Sequence, residues 1–141
     1  VIGMSTLHDR IDNFWFVLRH EIEHVLRGHG KKGIGAVDNF SEPDEETTDQ
    51  EEVLANQAAA EFCIPQIKIK SFYLRKDPYF SERDVVGFAS LNGIHPGIVV
   101  GQLQKLMKRY NFLRKYLVPM RKYLENSATI DGWGNTISLE L

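Results

Sequence analysis

The sequence predicts an α+β domain that is mostly helical, and three observations carry that expectation. Apolar residues recur at helical spacing over several stretches of 12–18 residues, bounded by capping residues, glycines and prolines. Short β-prone runs stand near the two ends, VIGMSTL at residues 1–7 and TISLEL at the C-terminus, which together with Ile34–Val37 supply a small sheet. The chain of 141 residues, 43% hydrophobic and 26% charged, is long enough to bury one core and has the composition of a globular domain.

The elements follow in order. After the strand at residues 1–7, Asp12 is placed to cap a helix that ends at Gly28–Gly30, where glycine supplies the left-handed stop. Residues 30–48 read as a glycine-rich, then acidic, loop. Asp49 is placed to cap a second helix to Ile64, ended by Pro65. Residues 66–74 favour helix, and Asp77-Pro78 is a turn. Ser81 caps a helix to Leu91, Asn92-Gly93 breaks it, and Pro96 suits the first turn of another helix reaching Tyr110. Pro119 interrupts a further helical stretch over residues 112–125. The expected division is a main domain over residues 1–110 and a helical and strand extension over 111–141. A chain starting at Val1 on a strand-like segment is expected to be a fragment of a longer protein.

Charge narrows the function only slightly. The net charge is −2, with seven acids in residues 41–52 and seven bases in residues 105–122. These read as a solvated loop and a solvated face, with an acidic partner as the sharper reading of the second. A single cysteine, Cys63, makes no internal disulfide and suits the cytoplasm. No apolar run reaches the length of a membrane span, so no membrane partner is expected.

The stretch RHEIEHVLRGHG, Arg19–Gly30, reads H-E-x-x-H from His20 to His24. On a helical wheel with His20 at zero, His24 falls at about 40° and Glu21 at about 100°, opposite a stripe of Trp15, Leu18, Ile22, Val25 and Leu26. That stripe is the expected core face. His29 falls on the side away from the motif, as a helix-end or core residue. Phe16 and Val17 flank the His/Glu arc, so a second element is expected to cover it, and buried imidazoles and a carboxylate then need partners. Histidines at i and i+4 can both reach one zinc ion at about 2.0–2.1 Å. Glu21, too far round to ligate, can take a proton from the attacking water and pass it to the leaving amine.

Two histidines do not complete a catalytic zinc site, which needs a third protein ligand. The next helix, EEVLANQAAAEFCIP, offers Glu52 and Asn56 on one face, continued by Ala59 and Cys63, whose small side chains permit close approach. Glu52 can ligate. Asn56 can hold a ligand histidine through its other ring nitrogen. The bland alternative is a capping-region acid favoured by the helix dipole, and Glu51 suits that role better than Glu52, since Leu54, Ala55, Ala58 and Phe62 define a neighbouring apolar face. For the oxyanion, Tyr73, Tyr79 and His95 are all available donors.

These two segments together resemble the ImmA/IrrE family of zinc metallopeptidases, which pairs an H-E-x-x-H helix with a helix of the form E-x-E-A-N-x-F-A-A-x-L-L-x-P. Glu52, Ala55, Asn56, Ala59, Ala60, Phe62 and Pro65 match that form. DRIDNFWFVLRHEIEH and GIHPGIVVGQLQ resemble the domain as it is fused behind helix-turn-helix regulators and HigA-like antitoxins, and the likeness covers about residues 1–107. The resemblance implies a small zincin-like fold, zinc held by His20, His24 and an acid best matched by Glu52, and Glu21 as general base. It implies a protein substrate, a repressor or antitoxin-type regulator, and DNA contact through a separate N-terminal domain. The sequence departs from the family at Glu23, where a small residue is usual, at Leu54, where an acid is usual, and at Ala58, where an aromatic is usual. Glu23 either points to solvent or adds negative charge beside the metal.

Two other classes of function compete. One is a non-catalytic sensing or protein-interaction module of a transcriptional regulator or antitoxin. The other is direct DNA binding through residues 81–109, a helix, turn and helix with Ala89, Gly93 and Val99 at the small, turn and core positions. Its second helix opens on HPGIVVGQ, which has few side chains able to read bases.

Overall fold

The structure, a computed structural model, describes residues 8–28 and 45–124, with the side chains of residues 45–48 left aside. Its elements are α1 (Ile11–Arg27), α2 (Glu45–Cys63), α3 (Gln66–Lys76), α4 (Glu82–Leu91) and α5 (Pro96–Met107), then a 3-10 turn (Arg114–Tyr116) and a short α6 (Arg121–Leu124). No strand occurs among the described residues. The strands expected at residues 1–7, at Ile34–Val37 and near the C-terminus all lie outside them, as does His29.

The helix boundaries follow local chemistry. Gly28 ends α1 with φ 68°, its N–H bonding back to the last turn. Asp12 does not cap α1: the helix starts one residue before it, and its carboxylate instead takes the Arg10 guanidinium at 2.7 and 3.0 Å. Asp49 likewise does not cap α2: it lies inside the helix, which begins at Glu45. Pro65 turns the chain from α2 into α3. Gln66 closes that corner, its amide donating to the carbonyls of Ala60 and Ile64 at 3.0 and 2.9 Å.

Ser81 and Asp84 form a reciprocal capping box at the start of α4. Lys76 and then Ser81, both bonded to the Asp84 carboxyl, hold its pKa down to about 2. Gly93 turns with φ 64°, and Pro96 opens α5 with His95 Nδ1 accepting the Gly97 N–H at 3.0 Å.

The core is built by α3, α4 and α5 around Ile64, Ile69, Phe72, Val85, Phe88, Val99, Val100 and Leu103, with Phe72 and Phe88 stacked at 4.4 Å. Phe112, Leu113, Tyr116 and Leu117 pack on it from the segment after α5. That segment is tied to the start of α1: Ile11 N donates to Val118 O at 2.9 Å, and Asp9 accepts from the N–H groups of Met120 and Arg121.

Two glycines of α5 make α1 possible in this position. A Cβ on Gly97 would stand 2.2 Å from Tyr116 O and 2.6 Å from Ile11 Cγ2, and one on Gly101 would stand 2.2 Å from Asp12 Oδ2. Gly87, on α4, has open space around it. Gly97→Ala is therefore expected to destabilise the fold by about 1–3 kcal/mol through backbone overpacking. Gly87→Ala is expected to stabilise it by about 0.5–1 kcal/mol, through helix propensity alone. Paired denaturant titrations check both signs.

The same packing bears on the DNA-reading alternative. The opening of α5 is a packing surface: Gly97, Val99, Val100, Gly101, Leu103 and Gln104 are buried under α1, α4 and the 3-10 turn. Its outward residues, His95, Ile98 and Gln102, include few side chains able to read bases.

Candidate metal centre

The most extensive packing among these helices is between α1 and α2. Ala55 and Ala59, fully buried, and Cys63, nearly so, form the inner face of α2. Alanines at the contact allow two helices to come close enough for side chains on each to meet at one point.

At that point stand His20, His24 and Glu52. The two Nε2 atoms are 3.0 Å apart, and the Glu52 carboxylate oxygens lie 3.4 Å from His20 Nε2 and 3.2 Å from His24 Nε2. One ligand atom from each residue falls within 4.8 Å of the others. Four donors about 2.0–2.1 Å from a tetrahedral zinc would be separated by about 3.3–3.4 Å. The spacing here is within a few tenths of an ångström of that figure, so these residues fit zinc. Three donors also leave the fourth position that a hydrolytic site requires.

The surroundings fix the donors. The His20 ring packs on Phe16 (centroids 6.4 Å apart), and its Nδ1 lies 3.1 Å from Asn56 Oδ1. Asn56 Oδ1 can only accept, so this contact puts the proton on Nδ1 and turns the Nε2 lone pair toward His24 and Glu52. Outer partners of this kind tune metal affinity. Asn56→Ala is expected to weaken zinc binding about 10–100-fold, with Asn56→Asp, still an acceptor, retaining most of it. Competition against a chromophoric chelator reads the difference.

Glu21, between the two histidines, is half-buried on α1. The wheel placed the α1 core on the opposite stripe, where Trp15, Val25 and Leu26 are instead exposed; the His arc faces α2, as its flanking Phe16 and Val17 led us to expect. Burial here follows the partner helix, and α2 presents small residues and polar donors to that arc.

Glu23 does not point to solvent. It is 6% exposed, gripped on its own helix by Arg19 at 2.6 Å and by Arg27. The bond from Arg27, followed by that from Arg19, pulls its pKa below the ordinary carboxylate range. A residue that would add negative charge beside the histidines is thus neutralised by two arginines. The spacing R-x-x-x-E-x-x-x-R stands in the sequence, and i,i+4 pairing is the signal that could have revealed it.

Of the other candidates, Cys63 is buried and its thiol is pushed up to about 11, mainly by loss of water and then by the nearby Asp12. It serves as a small packing residue. His95 caps α5, Tyr73 packs against Phe80 in the core layer, and Tyr79 is exposed. The described structure brings none of the three into the donor cluster.

Two histidines one turn apart, a glutamate between them and an acid from the neighbouring helix define a metallopeptidase-type domain. Residues 5–91 match the Peptidase_M78 family, the IrrE N-terminal-like domain, and the chain belongs to that family. No curated protein and no solved structure matches it. No helix among the described residues is long and apolar enough to cross a membrane.

Proposed function

We propose that the chain is a zinc-dependent endopeptidase domain acting on a protein substrate, a repressor or antitoxin-type regulator, in the cytoplasm. The observation that carries this is the convergence of His20 Nε2, His24 Nε2 and the Glu52 carboxylate across the α1–α2 contact, each imidazole 3.2–3.4 Å from a carboxylate oxygen and the two Nε2 atoms 3.0 Å apart. Zinc, when bound, supplies Lewis-acid polarisation and lowers the pKa of water to about 7. The chain's own residues do the rest. His20, His24 and Glu52 hold the ion, and Asn56 keeps the His20 proton on Nδ1. The Glu21 carboxylate takes a proton as water attacks the peptide carbonyl, and returns it to the amine nitrogen as the C–N bond breaks.

The test is incubation of the zinc-loaded chain with a degenerate peptide library, with new amino termini read by mass spectrometry. New termini that vanish on chelation are the expected result. Stoichiometric zinc with no cleavage of any peptide would favour the sensing or interaction module. A chain that takes up no zinc would overturn the reading.

A further inference from the structure

Phe16 stands one turn before His20 on α1, on the same side of the helix. Its ring is stacked on the imidazole, with centroids 6.4 Å apart and planes 26° from parallel. The Lys105 ammonium, carried by α5, lies over the same ring, 4.6 Å from its centre. Lys105, Phe16 and His20 thus form a line of contacts from α5 to a candidate metal ligand. The two helices meet directly one turn earlier on each: Gly101, four residues before Lys105, lies against Asp12, four residues before Phe16.

Close packing does not account for the position of the ring. Phe16 is only half-buried and borders a cavity of about 200 Å³. A side chain with open space beside it keeps freedom that a close-packed core would remove. Two directed contacts restrict it instead. The negative face of the ring attracts the ammonium, and the imidazole finds an offset stack on it. His20 then carries a restraint on each part that does not point at the donor cluster. Asn56 Oδ1 lies 3.1 Å from Nδ1, and Phe16 takes a face of the ring. The contact at Nδ1 fixes a distance; the contact on the face fixes the plane.

We infer that Phe16 is a positioning residue, which holds the plane of the His20 imidazole so that Nε2 is aimed at His24 and Glu52, and that Lys105 of α5 holds Phe16 in turn. The inference rests on the zinc reading proposed above and adds no ligand to it. The charge of Lys105 gives it a sign. A cation near the site repels Zn²⁺, so by charge alone its removal would tighten zinc binding. If Lys105 acts by holding Phe16, its removal weakens zinc binding.

The test is zinc affinity of the full chain, read by competition with a chromophoric chelator. Phe16→Leu, which keeps an apolar side chain but loses the aromatic face, is expected to weaken zinc about tenfold, the low end for an outer partner of a ligand. Phe16→Tyr, which keeps the ring, is expected to retain most of the affinity. Lys105 is exposed, so its substitution leaves the fold intact. Lys105→Met is expected to weaken zinc by about two- to fivefold, the worth of an exposed cation–π pair, and Lys105→Arg to restore it. Zinc binding in Phe16→Leu equal to that of the parent, or binding in Lys105→Met that is unchanged or tighter, would overturn the inference and leave the metal centre standing. A parent chain that takes up no zinc would overturn both.

Discussion

Glu21→Gln is expected to keep zinc and to lose about 10²–10⁴-fold in peptide hydrolysis, the usual worth of a general base. The amide occupies the same volume and still accepts a hydrogen bond, but it cannot hold a proton. Glu21 is on the same helix as His20 and His24, and the three donors that approach one another are His20, His24 and Glu52. Metal content should therefore be indifferent to the change while turnover is not. Elemental analysis and initial rates on one preparation separate the two. A variant that loses metal along with activity would make Glu21 part of the coordination; one that keeps full activity would remove it from the chemistry.

The chemistry-bearing residues were legible because their spacing is local. H-E-x-x-H needs only a helix to put two imidazoles side by side, and α1 forms as its glycine stop requires. The Ser81 cap and the Asn92-Gly93 break were read for the same reason: each is an interaction over three or four residues. Glu52 and Asn56 were legible only in part. Spacing put them on one face of α2, but nothing local distinguished Glu52 from Glu51, and it is the α1–α2 contact that brings the Glu52 carboxylate to the histidines.

What failed depended on partners. The Trp15–Leu26 stripe is the more apolar arc of α1, yet its residues Trp15, Val25 and Leu26 are exposed and the charged Glu23 is buried. A wheel ranks faces by hydrophobicity, whereas burial is decided by where a neighbour can come close. Ala55 and Ala59 on α2, and Gly97 and Gly101 on α5, are the residues that permit close approach. Small residues carry almost no signal in a hydrophobic pattern: Ala59 and Cys63 were read as letting α2 approach α1, but nothing in the pattern marked Gly97 and Gly101 of α5 as the place where α1 packs. HPGIVVGQ reads in the structure as a surface shaped to receive α1.

His24→Ala is expected to abolish stoichiometric zinc binding. Removing an outer partner of a ligand costs about 10–100-fold in affinity, so removing a direct donor should cost more than about 100-fold. His24 is the donor whose loss is hardest to replace. Its Nε2 lies within 3.2 Å of both His20 Nε2 and a Glu52 oxygen, so without it only two donors remain at the point where α1 meets α2. Glu52→Ala should weaken binding less, because its side chain is half exposed and water can take the vacated position. His95→Ala is the control: that histidine caps α5, and its loss should leave the metal untouched. Far-UV circular dichroism checks that the helical content is unchanged in each variant. If zinc then survives in His24→Ala, the ion is held elsewhere and the α1–α2 site is a polar helix contact. If it is lost in His24→Ala and weakened in Glu52→Ala, the two helices share one metal, and the α1–α2 contact is what makes the site.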